Sequence, residues 1–163
     1  MSQQALIPEI GAVTQLHFVV YAKPVPQGSL KGFVLPAKNG KKARAILTSD
    51  NTHLKPYRGD VTREAMRALV KANVQEPFAG KHVPVCIVFD FYLERPPTAP
   101  KKRREMVVKP DLDKLCRATI DAMSGVVFSD DAQIVALNCW KRYGTPERVE
   151  VSITRLEGSA LPF

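Results

Sequence analysis

The 163-residue sequence predicts an α+β fold in which a small mixed β-sheet packs with two main helices. Three observations predict it. Segments with strand character open and close the chain and recur in its middle, two segments carry apolar residues at helical spacing, and no repeat or change of composition divides the whole. The expectation is one domain over residues 1–163, with 1–12 as a flexible N-terminal extension. At 45% hydrophobic residues this length can bury a core without staples, which excludes disorder as a description of the whole chain.

The first strand is expected in TQLHFVVYA, where Leu16, Phe18 and Val20 alternate with Gln15 and His17 before the run turns continuously apolar, a pattern that suits a central strand. Residues 23–55 are rich in Gly, Pro, Asn and Lys and read as a basic loop or loose hairpin, with FVL and AIL as short strands. From Tyr57 to Asn73 breakers are few. Val61, Ala65, Ala68, Leu69 and Ala72 recur at helical spacing with Arg58, Arg63, Arg67 and Lys71 on the remaining surface, which predicts an amphipathic helix.

HVPVCIVFDFYLER, dense in β-branched and aromatic residues, predicts a second strand. The prolines and cations of RPPTAPKKRREMVVKP predict an exposed connection. Pro110 biases Lys109 away from helical angles, so a second helix is expected from Asp111. Leu112, Leu115, Cys116, Thr119, Ile120 and Met123 form its stripe, and Gly125 stands in the stop position. VVFSDDAQIVALNCWKRY and VEVSITRL then supply a turn and two strands. Phe89, Phe91 and Trp140 fall in strand patterns and are read as core rather than as platforms for bases.

Lys and Arg number 24 against 16 Asp and Glu, a formal net charge of +8. The distribution is uneven: residues 31–71 carry ten basic against three acidic groups, whereas residues 110–135 carry five acidic against two basic. The basic segments suit a polyanionic partner, since Lys and Arg that neutralise phosphates drive binding by counterion release. No apolar stretch approaches the roughly 18 residues of a membrane span and the first residues lack a signal-peptide pattern, so a soluble, cytoplasmic protein with no membrane partner is expected. Cys86, Cys116 and Cys139 are widely spaced in apolar settings and read as reduced, buried thiols.

The acidic island carries the chemistry. Asp111 and Asp113 stand at the cap and first turn of the second helix, where carboxylates are favoured by capping and by the helix dipole alone. A second pair, Asp130 and Asp131, follows the next turn. If VVF runs back along the helix it brings this pair to the helix start. Three or four carboxylates gathered in a basic protein repel one another unless a cation sits among them, and Mg²⁺ is commonly held by one or two carboxylates with substrate phosphate. That constellation points to metal-dependent phosphodiester chemistry, with Asp111, Asp113, Asp131 and Asp130 as candidate ligands. Arg117, one turn after Asp113, either joins an i,i+4 ladder with Asp113 and Asp121 or stabilises charge on a phosphate. For Asp121 the ladder is the preferred role.

The run KPDLDKLCRATIDAMSGVVFSDDAQI resembles the signature of the RusA-type Holliday junction resolvases, with D-L-D at a helix start and D-D-x-Q after the following turn. The resemblance is dense over residues 109–135 and weaker elsewhere. It implies that Asp111, Asp113 and Asp131 are the essential carboxylates, with Arg117 where the family commonly has lysine. It further implies a bacterial or phage homodimer that resolves four-way junctions and other branched DNA in recombination and repair. Paired nicks with Mg²⁺, or Mn²⁺ in its place, and no small-molecule cofactor complete that picture.

Lys101, Lys102, Arg103 and Arg104, just upstream of the aspartates, are candidate phosphate contacts, as are Lys31, Lys41, Lys42 and Arg44. Two other functions fit parts of the pattern. A non-catalytic basic nucleic-acid-binding protein would use its acidic residues only for capping, and would bind junctions without nicking them. A hydrolase of small phosphate esters leaves the basic flanks unexplained.

Overall fold

In the computed structural model the described residues are 14–28, 30–37, 42, 44–49, 51–75 and 77–156. The expected N-terminal extension, residues 1–12, lies outside them. The elements are β1 (Gln15–Val20), β2 (Leu30–Leu35), β3 (Arg44–Ser49), α1 (Leu54–Lys71), β4 (Val85–Leu93), α2 (Leu112–Met123), β5 (Ile134–Tyr143) and β6 (Arg148–Arg155). A 3-10 turn, Asp131–Gln133, precedes β5.

The main sheet has strand order β1-β6-β4-β5, and β2 pairs with β3 as a separate antiparallel hairpin. β4 and β5 are parallel, as a strand–helix–strand crossover through α2 requires, while β1 with β6 and β6 with β4 are antiparallel. This is the expected α+β architecture with a mixed sheet. β1 is an edge strand, however, and not central. Its inward residues Leu16, Phe18 and Val20 are buried, but Val19 is only half-buried and Tyr21, just past the strand, is 73% exposed. The continuous apolar run therefore covers one face only.

Alternation builds the core. Ile87, Phe89 and Phe91 of β4 and Val149, Val151 and Ile153 of β6 present one face to the helices and are buried. Tyr57, Val61, Ala65 and Leu69 of α1 meet that face with Leu115, Ala118, Thr119 and Met123 of α2. Burial of each large aliphatic or aromatic side chain contributes on the order of 1.5–3 kcal/mol. The two helices are joined by a buried hydrogen bond at 2.9 Å between the Tyr57 and Thr119 hydroxyls. Thr119 already donates to the Leu115 carbonyl, so its one proton is spent and Tyr57 is the donor.

α1 begins at Leu54, three residues before the expected Tyr57, because Pro56 falls in the first turn, where its missing N–H costs nothing. β2 and β3 extend beyond FVL and AIL to six residues each. α2 stops at Gly125, whose φ of 81° only glycine adopts freely.

Trp140 is 44% exposed, which corrects the core assignment, whereas Phe89 and Phe91 are fully buried. It sits on the outermost strand with the Arg142 guanidinium 5.6 Å from its ring. The cysteines are free, Cys86 and Cys116 buried and Cys139 half-buried. No helix of the described residues is long and apolar enough to cross a membrane.

Candidate active site

The crossover decides where the acidic residues go. After α2, Gly125 N–H donates to the Phe128 carbonyl at 2.8 Å and Val127 N–H to the Met123 carbonyl at 2.9 Å. VVF is thus consumed in a turn, with Phe128 bridged to Ser124 and to Ala79, and does not run back along the helix. Asp130 and Asp131 consequently enter at the C-terminal end of α2. β5 then runs antiparallel to the helix, placing Cys139 against Cys116 and Lys141 beside Pro110.

Between α2 and β5 lies an open groove. Its apolar walls are Leu112, Cys116, Ile120, Leu137 and Cys139, and its charged residues are Asp113, Arg117, Asp121 and Asp131. Burial pushes the Cys116 thiol well above its usual range, reinforced by contact with Cys139 and the nearby Asp113 charge, so this wall is neutral and unreactive. Asp113, Arg117 and Asp131 are exposed, and among the described residues none of the three side chains forms a hydrogen bond or ion pair. Asp121 does not join a ladder with Arg117. Its partner is Arg58 of α1, 63 positions away in sequence.

The other two candidate carboxylates face elsewhere. Asp111 is the N-cap residue of α2 by backbone conformation but makes no side-chain capping bond. Its carboxylate pairs with Lys114 at 3.2 Å, in a neighbouring groove shared with Gln27, Asn51 and Lys109. Asp130 is spent on local structure. It accepts from Ala132 N–H at 2.8 Å, while its own N–H donates to Gln133 Oε1 at 2.9 Å, a capping box for the turn that carries Asp131. Gln133 in turn donates to the Gly80 and Val83 carbonyls at 2.7 and 2.8 Å, fastening that turn to the segment before β4.

The expected gathering of Asp111, Asp113, Asp131 and Asp130 around one ion is therefore not found. Among the described residues no three His, Cys, Asp or Glu side chains stand close enough to hold a metal. The physical reason is local: Asp111 turns to Lys114 and Asp130 closes the cap of the following turn, which leaves Asp113 and Asp131 on the groove. What remains, two unpartnered carboxylates on one groove, suits a hard divalent cation completed by substrate phosphate and water; it does not suit a preformed cage of three carboxylates.

Of the candidate phosphate contacts, Lys101, Lys102 and Arg104 are exposed and Arg103 half-buried, on the connection that leads into Asp111. Lys42 and Arg44 are exposed beside the hairpin, while the side chains of Lys31 and Lys41 lie outside the described residues. Two residues with evident roles are missing from the sequence-based expectations. Gln133 was visible only as part of a motif, and Lys141 occupies the inward register of Leu137 and Cys139, where a lysine in an apolar alternation was the available signal.

Comparison with known proteins agrees with the signature. A family model described as endodeoxyribonuclease RusA matches residues 35–154. The chain is also similar to the uncharacterized protein YqaN of Bacillus subtilis (strain 168), 30% identical over 148 residues that cover 85% of this chain and 94% of that protein.

Proposed function

The chain belongs to the RusA family of metal-dependent endodeoxyribonucleases that act on branched DNA junctions, and from that premise we propose that it resolves four-way junctions by hydrolysis at the α2–β5 groove. One observation supports this reading: Asp113 and Asp131 face the same groove with no side-chain partner among the described residues, in a chain whose cations outnumber its acids.

In this reading Asp113 and Asp131 are the groove carboxylates that would offer oxygen to a metal, with Mg²⁺ expected and Mn²⁺ a substitute, and substrate phosphate and water would complete its shell. When bound, such an ion supplies Lewis-acid polarisation of the scissile phosphate and a lowered pKa for the attacking water. Arg117, whose planar guanidinium has no partner among the described residues, stabilises the charge that develops on the phosphate. Asp111 positions the start of α2 through its pair with Lys114, and Asp130 holds the Asp131 turn. Lys101, Lys102, Arg103 and Arg104, with Lys42 and Arg44, take the DNA backbone. The protein acts as a homodimer, because a junction with two-fold symmetry presents two equivalent strands and an isologous pair supplies two equivalent sites. Its place is recombination and repair in a bacterial or phage-infected cytoplasm.

Asp113→Asn tests the reading. Cleavage of a synthetic four-way junction in Mg²⁺ is expected to be lost while junction binding in a gel-shift assay persists. Retained cleavage sinks it. Light scattering that finds only monomer at micromolar concentration removes the paired-nick mechanism.

A further inference from the structure

The 18 residues from Glu94 to Asp111 contain no helix or strand, yet they are fastened to the sheet near both ends. Near the start, Arg95 donates to the Arg103 and Pro100 carbonyls at 2.7 and 2.6 Å, with its guanidinium 5.0 Å from the Tyr143 ring. In the middle Met106 is buried. Near the end, the Lys141 ammonium donates to the Val108 and Pro110 carbonyls, both at 2.7 Å.

A lysine at this place needs a reason. The N-terminus of a helix favours anions, so the dipole of α2 does not attract Lys141. The two carbonyls on either side of Lys109 do, through short charge-assisted bonds that exceed neutral ones in strength. Lys141 also stands on β5, the strand that follows directly from the turn holding Asp131. A single strand therefore follows from the turn that carries Asp131 and grips, ten residues after it, the segment that leads into Asp111 and Asp113.

We propose that Lys141 is a positioning residue for strand cleavage: by holding the Val108 and Pro110 carbonyls against β5, it sets the separation between Asp113 and Asp131 across the groove. Misplacement by about 1 Å costs catalysis up to about a hundredfold while leaving substrate binding intact. The proposal rests on the placement of the site at Asp113 and Asp131.

The test is Lys141→Met, which keeps the stem and removes the donors, beside Lys141→Arg, which keeps charge and donors. For K141M, kcat on a synthetic four-way junction is expected to fall about ten- to a hundredfold with KM within about twofold, and K141R to recover most of the loss. Hydrogen exchange at residues 107–113, measured without DNA or metal, is expected to quicken in K141M alone. Unchanged exchange overturns the tether. Faster exchange with unchanged kcat overturns the positioning role, and a raised KM with unchanged kcat makes Lys141 a DNA contact instead. Should K141M fail to fold, Lys141→Gln takes its place with the same outcomes. D113N that still cleaves would overturn the site itself, without touching the exchange result.

Discussion

Carboxylates on the outer surface of α1 and carboxylates at the α2–β5 groove are treated in opposite ways. On α1, Asp60 is paired with Arg63 and Glu64 with Arg67 at 2.9 Å, while Arg58 reaches across to Asp121 of α2. In the groove, the Asp113 and Asp131 carboxylates have no partner among the described residues. Cations are not scarce in a chain of net charge +8, so the difference is not one of supply. The paired groups are satisfied and contribute little, as exposed ion pairs do. The unpaired groups leave their lone pairs open, which is what the proposed metal and substrate role requires.

The sharpest way to break this comparison is Asp131→Asn. If the groove carboxylates serve chemistry, cleavage falls by at least about a thousandfold, the equivalent of roughly 4 kcal/mol of transition-state stabilisation. The thermal midpoint should hold or rise, because the Asp131 side chain has no partner among the described residues to lose. A variant that cleaves normally puts Asp131 on the same footing as the acids of α1.

The next effect concerns the joint between the helices. Tyr57→Phe leaves the buried Thr119 oxygen without its donor, and is expected to lower unfolding free energy by about 1–3 kcal/mol in urea titration. Burial also raises the Tyr57 pKa above its usual 10.0. The folded state therefore retains the phenol proton where the unfolded chain releases it, so this contribution is complete below pH 10.0 and declines as pH climbs beyond it. In Y57F that part of the alkaline decline should vanish; an identical decline in both proteins would show that Tyr57 is not its source.

Asp130→Ala tests a finer distinction inside one acidic pair. Loss of the cap on the Asp131 turn should cost about 1 kcal/mol, with a far smaller loss of cleavage than D131N. Equal loss in the two variants would dissolve the division between a structural and a catalytic member. The smallest effect is expected on α1. Arg67→Ala should change stability by no more than about 0.5 kcal/mol and leave the cleavage rate constant unchanged, since the Arg67 side chain is 69% exposed. A larger shift would mean that the α1 pairs are more than surface charge balance.

Much of the fold was legible because it is written in local periods. The alternation around Phe89 and Phe91 and the stripe from Leu112 to Met123 become β4 and α2 within a few residues of the expected limits. The sites of misreading are those where a local pattern has two tertiary outcomes. Apolar runs at β1 and around Trp140 suit either a central or an edge strand, and both strands proved to be edges. Asp121 had an arginine one turn away, yet Arg58 from another helix reaches it.

Sequence alone determined which segments become helices and strands, that acidic residues cluster inside a basic chain, and which family the DLD and DDAQ motifs belong to. Those are properties of spacing and composition, readable wherever the segments end up. Only the tertiary structure decided that β5 runs parallel to β4, that Asp131 faces the groove while Asp130 closes a cap, and that Asp111 turns to Lys114. The reason is that a 12-residue helix and a turn stand between the two acidic pairs in sequence, and the packing of that helix across the sheet sets which side chains meet.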